Sequence, residues 1–441
     1  MRIAIKTAGC LVVVTCVLQT SFIFAAESRT GPAAEMSWAD LAAAVKDRLP
    51  WRPLWDGRSF QGWHQIGKGR WAIEQGAIVG RHEAGEGEFG HIVSDQSYSD
   101  FVIRCRYKAV KGNSGLYFRV EEKGFSGVSG FQAEVDEAAD AGGLYETNGR
   151  GWVSKPGAEA VQEAFKKGDW NEMFVAALGR DVTVFVNGKK MASVRNDPGR
   201  LDGRFALQLH GGQAVEVWFK DLEICVPTNL TSGPGMAGWR APTGEWAMVG
   251  EALMDAANEK ALAVQPGSGV IYNGPKGRTS NLFSELAHGD VLAHVEFVLP
   301  KKSNSGVYFQ SRYEVQVYDS YGVEKDAYPG IECGGIYPRW VNNKNIEGHS
   351  PRVNASRPPG QWQSFDVLFR APRFDSSSRK TEPARFDAVL HNDVLVHENV
   401  VLNGPTRAAV ADDEKALAPL MLQGDHGPIA YRNIKCILLG K

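Results

Sequence analysis

Cysteine is scarce in this chain, and neither sign of charge prevails. Its 441 residues include six cysteines. None sits in a Cys-x-x-Cys pair, which excludes a zinc ribbon. Forty-nine basic residues stand against 51 acidic ones, a formal charge of −2. That balance lacks the phosphate-neutralising excess of a nucleic-acid or polybasic membrane protein. Beyond residue 26, no stretch approaches the ~20 apolar residues that span a bilayer. Gly-x-Ser-x-Gly, P-loop and His-Glu-x-x-His motifs are all missing.

Glycine and tryptophan are plentiful instead, at 49 and 12 residues. Many turns and many aromatics suggest an all-β protein with a sugar-sized ligand. Apolar residues make up 43% and charged residues 23%, which is ordinary for a globular chain. The length is ample for a core in each of two domains.

Residues 1–26 read as a signal peptide. Arg2 and Lys6 give a positive start, and Leu11, Val12, Val13 and Val14 lie in an almost uncharged run. Phe24-Ala25-Ala26-Glu27 offers small residues for cleavage. An uncleaved anchor is the alternative. Cys10 comes too early for a lipoprotein, and Cys16 follows a polar Thr15. The expectation is an exported protein, periplasmic or extracellular, with no membrane partner after cleavage. Cys105, Cys225, Cys333 and Cys436 would remain. They read as buried small hydrophobes rather than a bridge, since Cys105 and Cys225 should face opposite ways.

The chain repeats itself. Asn113-Ser114-Gly115-Leu116-Tyr117-Phe118-Arg119 returns as Asn304-Ser305-Gly306-Val307-Tyr308-Phe309-Gln310. Gly142-Gly143-Leu144-Tyr145 returns as Gly334-Gly335-Ile336-Tyr337, and Gly168-Asp169-Trp170 as Gly360-Gln361-Trp362. His210-Gly211 has a later echo in His426-Gly427. Two homologous domains follow, at 51–227 and 246–441, with a linker at 228–245 and a helical segment at 27–50. Ser37 is the N-cap candidate of that helix.

Inside each copy the apolar period is two. Phe131, Ala133 and Val135 alternate with Gln132, Glu134 and Asp136; Tyr313, Val315 and Val317 alternate with Glu314, Gln316 and Tyr318. Short strands between Gly and Asn turns predict one antiparallel β-sandwich per copy. One face should be polar. In the first copy it collects Tyr117, Arg119, Gln132, Glu134, Asp136, Gln208 and His210. In the second it collects Tyr308, Gln310, Glu314, Gln316, Gln423 and Asp425, with His426 at the strand end and Asp319 capping the Glu314 strand. Carboxylate, amide and imidazole together suit a polyhydroxylated ligand and could move protons. A solvated strand face gives the same alternation without any function. Trp63, Trp152 and Trp340 are either sugar platforms or core. His64, His82 and His288 have no evident partner and read as surface or loop residues.

Two resemblances follow. Glu134-Val135-Asp136 resembles the acidic strand of retaining glucanases, but Glu137-Ala138-Ala139 departs from that pattern and Glu314-Val315-Gln316 loses the second acid. More of the chain resembles the 3-keto-disaccharide hydrolase family, also described as 3-keto-glucoside-1,2-lyase/3-keto-2-hydroxy-glucal hydratase. The matching residues are Leu54-Trp55-Asp56-Gly57 through Gly62-Trp63, both Asn-Ser-Gly-x-Tyr-Phe strands, Tyr313 to Gln316, and Leu422 to Gly427 running into Tyr431-Arg432-Asn433-Ile434. The resemblance implies two tandem concanavalin A-like jelly rolls and a carbohydrate substrate. It implies cleavage of 3-keto-glycosides by proton removal at C2, β-elimination at C1 and rehydration. His426 or Glu314 would be the base and Asp319 a supporting acid. Gln316, Gln423, Arg432, Tyr308 and Gln310 would bind substrate. In the first copy Gln132, Glu134, Arg119 and His210 are the equivalents, but Gln208-Leu209-His210-Gly211 is shorter, which points to a binding or scaffold copy. No cofactor is required; a divalent metal on Glu314, Asp319 and His426 is a minority option. A non-catalytic, lectin-like carbohydrate-binding protein is the rival reading.

Overall fold

The computed structural model describes residues 35–440 except 125–126, 138, 234 and 325–329. The proposed signal peptide lies outside the described residues. Each half is a two-sheet antiparallel sandwich. In the first half the front sheet runs Gly151–Ser154, Leu144–Thr147, Ser129–Val135, Ser114–Glu121, Gly203–Leu209, Gly90–Tyr98, Trp63–Gly67. Its back sheet runs Lys189–Val194, Asp181–Val186, Asn171–Leu178, Phe101–Lys111, Val215–Cys225, Ala77–His82, Arg70–Glu74.

The second half repeats the plan. Its back sheet runs Ala247–Met254, Leu262–Tyr272, Ala430–Leu438, Val291–Val298, Gln363–Arg370, Ala384–His391, Val394–Leu402. Its front sheet has four strands, in the order Leu282–His288, Ala418–Leu422, Asn304–Phe309, Tyr313–Tyr318.

Period-two alternation sends Leu116, Phe118, Phe131 and Ala133 inward against Ile103, Tyr107 and Val175 of the opposite sheet. Phe118 stacks on Phe131 with ring centroids 5.5 Å apart. Val307, Phe309, Tyr313 and Val315 do the same in the second half, against Val295, Phe297 and Phe369. Trp63 belongs to the first core, which removes it as a sugar platform. Burying each such aromatic contributes roughly 1.5–3 kcal/mol.

The expected N-terminal helix forms at Trp38–Ala44. Ser37 and Asp40 close a reciprocal capping box, with Ser37 N–H donating to Asp40 Oδ2 at 2.9 Å. Leu41, Ala42 and Val45 share one buried cluster with Val102 and Phe174 of one half and Leu292 and Leu390 of the other. Lys435 reaches Asp100 across the same junction at 2.7 Å. The stretch read as a linker is folded onto the second half. Thr228 and Asn229 pair with Cys436 and Lys435, and Leu230 and Trp239 enter the second core.

Cys105, Cys225, Cys333 and Cys436 are buried and free. Cys105 faces the first core and Cys225 the junction, as their strand parity requires. Two histidines depart from expectation. His82 and His288 are buried, not exposed. His82 ring nitrogens meet the carbonyls of Glu88 and Gln213; His288 accepts the Gln310 N–H at Nε2. Both serve the backbone, a need that alternation does not reveal. His64 is on the surface, between Asp95 and Glu122.

Candidate functional site

The repeated Asn-Ser-Gly-x-Tyr-Phe segment builds the same cluster twice. Its serine ties the front sheet together: Ser114 Oγ donates to the Gln208 carbonyl at 2.6 Å, and Ser305 Oγ to the Gln423 carbonyl at 2.8 Å. Its glycine leaves room for the strand opposite. A Cβ at Gly115 would lie 2.5 Å from Gln132, and one at Gly306 only 2.1 Å from a Glu314 carboxylate oxygen. Its tyrosine faces a polar side chain directly. Tyr117 is opposite Gln132, and Tyr308 is opposite Glu314. Gly115 is opposite Glu134, and Gly306 is opposite Gln316. Each half therefore holds one acid and one amide, with their places exchanged.

The face is not solvated. Gln132, Glu134 and Gln208 are buried, as are Glu314, Gln316 and Gln423. A Gly-Gly-x-Tyr segment lies against it in each half. Glu134 N–H donates to Gly143 O at 2.9 Å, and Gln316 N–H donates to Gly335 O at 2.9 Å. Burial is the main cause that pushes the Glu134 carboxyl up to about 8, against the hydrogen bond from Asn113. Burial likewise pushes Glu314 up to about 8; Tyr308 opposes the rise and Asp425 adds to it.

Hydrogen bonding separates the two halves. In the first, the network closes on itself. Tyr117 Oη donates to Gln132 Oε1 at 2.6 Å, and Gln208 Nε2 donates to Tyr117 Oη at 2.7 Å. Gln132 Nε2 donates to Glu134 Oε2 at 3.0 Å, and Asn113 Nδ2 takes the other oxygen. In the second, Gln316 Nε2, with its amide turned toward its acceptors, donates to Glu314 Oε1 and to Ser305 O, each at 2.9 Å. Among the described residues, Glu314 Oε2 and Gln423 Oε1 are buried without a partner. Unpaired buried acceptors are rare in native proteins and need a reason.

The front sheet thus brings together Tyr308, Glu314, Gln316 and Gln423 of the residues named from sequence. It does not bring the others. Gln310 and Arg119 lie where alternation breaks, at φ 52° and 51°. That backbone turns both side chains out of the cluster. Gln310 Nε2 donates to His288 O and Ala416 O; Arg119 donates to Ser99 O and Arg200 O. Asp319 sits beyond the far end of its strand, about 16 Å of extended chain from Glu314. It accepts the Lys302 N–H at 2.8 Å and so fixes a turn. Arg432 belongs to the back sheet, paired with Glu296 at 2.6 Å and stacked on Trp362. Asp136 also leaves the face, accepting the Glu137 N–H at 2.7 Å in a turn.

His426 is exposed rather than at a strand end, because its strand stops at Leu422. Its Nδ1 meets Asp425 Oδ1 at 2.5 Å, on the rim of the cluster. The repeated His-Gly is not a structural repeat. The serine bonds align Gln208 with Gln423, so His210 matches Asp425. His210 packs against Phe89 at 4.6 Å with the rings tilted, and bonds the Gly211 carbonyl. The trio Glu314, Asp319 and His426 does not converge. Among the described residues, no group of three or more His, Cys, Asp or Glu could hold a metal.

Sequence reading missed Tyr337 and Arg407. Tyr337 N–H donates to Glu314 O at 3.2 Å. Arg407 N–H donates to Pro338 O, and its guanidinium lies 4.1 Å over the exposed Trp340 ring. The repeat Gly-Gly-x-Tyr was the available signal for Tyr337. Arg407 lies in an insertion with no counterpart.

Comparison with known proteins agrees with this duplicated plan. The 3-keto-alpha-glucoside-1,2-lyase-like domain matches the chain twice, over residues 50–225 and 227–437. The chain belongs to this family. A curated relative, the 3-keto-disaccharide hydrolase of Bacteroides thetaiotaomicron, is 33% identical over 78 residues, covering 16% of this chain and 27% of the relative. The match thus spans well under a third of that relative's length. Among solved structures, a provisional glycosyl hydrolase of Parabacteroides distasonis is 24% identical, with a TM-score of 0.35 over 48% of this chain and 84% of that one. The carbohydrate-binding module CBM66 of Bacillus subtilis is 18% identical, with a TM-score of 0.30 over 36% of this chain and 93% of that one.

Proposed function

We infer that the second half cleaves 3-keto-glycosides by elimination and rehydration. The observation that carries this is Glu314, a buried acid with an oxygen that has no hydrogen-bond partner among the described residues. The family and its 3-keto-disaccharide hydrolase relative support the substrate class. A ketone at C3 acidifies the C2 proton. Glu314 takes that proton, and the C2 electron pair enters the C3 enolate. The enolate re-forms the ketone as C1=C2 forms and the C1–O bond breaks, so the leaving oxygen departs with the bonding pair. Water then adds at C1 and passes its surplus proton to His426, which gave one to the leaving oxygen, while C2 recovers a proton from Glu314, completing a net hydrolysis.

The environment fits that cycle. A base works best when its pKa lies near the working pH, and burial lifts Glu314 toward it. Tyr308 and Gln423 line the carboxyl and can steady the ketone oxygen. His426, oriented by Asp425, is the rim group that protonates the leaving oxygen. Trp340 and Arg407 offer an aromatic and a cation to the sugar. The first half has the same shifted acid but satisfies both its oxygens, so it binds or supports rather than turns over. We also read the protein as exported, from its charged and apolar leader; the N-terminal mass of the mature protein should begin near Glu27.

The test is incubation with methyl 3-keto-α-glucoside, following enone absorbance and methanol release. Glu314→Gln should cut turnover by about 10²–10⁴-fold, the usual loss for a positioned base. Turnover within about twofold of wild type removes Glu314 from the reaction.

A further inference from the structure

Among the described residues, two of the tryptophans are exposed, Trp152 at 37% and Trp340 at 46%. Each follows the Gly-Gly-x-Tyr segment that lies against its own buried acid. Each carries a cation over its ring: Lys155 at 4.2 Å from the Trp152 centroid, and Arg407 at 4.1 Å from the Trp340 centroid. The two arrive there by different routes. Trp340 lies in the short strand Arg339–Val341, paired with Asn345. Trp152 pairs with Tyr145, whose ring meets it edge-on at 5.2 Å. Lys155 and Arg407 come from unrelated segments. Both exposed indoles thus carry a cation, each supplied by a different local sequence.

We propose that Trp152, Tyr145, Lys155 and Asp140 form a second, non-catalytic sugar subsite on the first half, taking one pyranosyl unit.

Three features support it. An indole offers an apolar face and edge on which the C–H face of a pyranose packs, and it loses little entropy on binding. Lys155 and Asp140, 3.2 Å apart, set a donor and an acceptor beside that surface for ring hydroxyls. Gly143 keeps the ring in place. A Cβ there would lie 2.7 Å from Trp152 Cζ3, so the indole rests on the segment that hydrogen-bonds Glu134. Beneath it, the closed network of Tyr117, Gln132, Glu134 and Gln208 leaves no carboxylate oxygen to act as base, so the ligand would be held unchanged. Cation-capped tryptophans also occur elsewhere, as at Trp170 under Lys220. Trp170 is half-buried and lies against Lys108 and Lys220 of the back sheet, not the front sheet that carries the acid, which makes it the control.

The proposal requires no turnover in either half. It is tested by calorimetric titration of the full chain carrying Glu314→Gln, with methyl 3-keto-α-glucoside and, separately, methyl α-glucopyranoside. Two equivalents of at least one sugar should bind. Adding Trp152→Ala should remove one equivalent, or weaken it at least tenfold, and adding Trp170→Ala should remove none. Trp152→Phe should retain both, which separates loss of the platform from loss of the fold. Unchanged binding in Trp152→Ala overturns the proposal, as does equal loss in Trp170→Ala. Absence of catalysis in the wild-type chain would instead count against the lyase reading and leave this stoichiometry to be judged by itself.

Discussion

Gln132 and Glu314 occupy the same position in the two halves, each directly opposite the tyrosine of a repeated strand. The exchange places an amide where the other copy has an acid. It accounts for why one network closes and the other leaves an oxygen unpaired. An amide donates and accepts, so Gln132 can satisfy both Tyr117 and Glu134. An ionised carboxylate only accepts, so Glu314 needs donors that the front sheet does not fully supply.

Gly306→Ala should test how tightly that acid is seated. The new methyl would meet a Glu314 oxygen at 2.1 Å, so the carboxylate or the strand must move. Overpacking of this kind costs about 1–3 kcal/mol. Thermal unfolding should show that loss, and turnover should fall further than folding alone explains. A variant with wild-type midpoint and wild-type turnover would show the carboxyl is free to relocate.

The rate should depend on pH through the same group. Glu314 is held up to about 8, so it is protonated below that value and ionised above it. If it is the base, kcat/KM for 3-keto-glucoside should rise with pH and level off above about 8. The sign for stability is opposite. Glu134 and Glu314 both have folded values above the ordinary 4.5, so their contribution is full below pH 4.5 and is lost as pH rises through 8. Glu314→Gln should flatten part of that alkaline loss in thermal scans from pH 5 to 9.

Acid should destabilise the protein through its buried histidines. Burial holds His288 down to about 4 from an ordinary 6.5. Its contribution is full above pH 6.5 and is lost as pH falls through 4. Protonation would place a hydrogen on Nε2 facing the Gln310 N–H, which now donates to it at 3.0 Å. His288→Leu should therefore lower the midpoint at pH 7, by roughly 1–3 kcal/mol for the orphaned N–H. It should also reduce the fall between pH 6.5 and 4. An unchanged acid slope would assign that fall to other groups.

Asp319→Ala and His426→Ala separate turn from rim. Asp319 holds the Lys302 N–H, so its loss should cost about 0.5–1.5 kcal/mol and leave turnover within about twofold. His426 is exposed, so its loss should leave the midpoint nearly unchanged and slow turnover at least tenfold. The reverse pattern would return Asp319 to the site and remove His426.

Most of the fold was legible because alternation reports which face of a strand meets the core. Phe118, Phe131, Val307 and Val315 follow it without exception. The polar cluster was partly legible for the same reason, since Gln132, Glu134, Glu314 and Gln316 share one parity. Alternation failed at Arg119 and Gln310, where a positive φ reverses the side chain. It was silent on long-range partners, so His288 was placed on the surface, whereas Asp319 does stand at the end of its strand as expected. Strand length was also invisible, which set His426 at a strand end instead of in a rim loop. Arg407 sits in an insertion, where no repeat could mark it.

The most direct measurement is hydrogen exchange at C2 of methyl 3-keto-α-glucoside in deuterated water, read by NMR. Wild-type protein should place deuterium at C2 of recovered substrate or of product. Glu314→Gln should slow that exchange by about 10²–10⁴-fold, with His426→Ala retaining it. Product formed by wild type without deuterium at C2, or exchange undiminished in Glu314→Gln, would contradict the account.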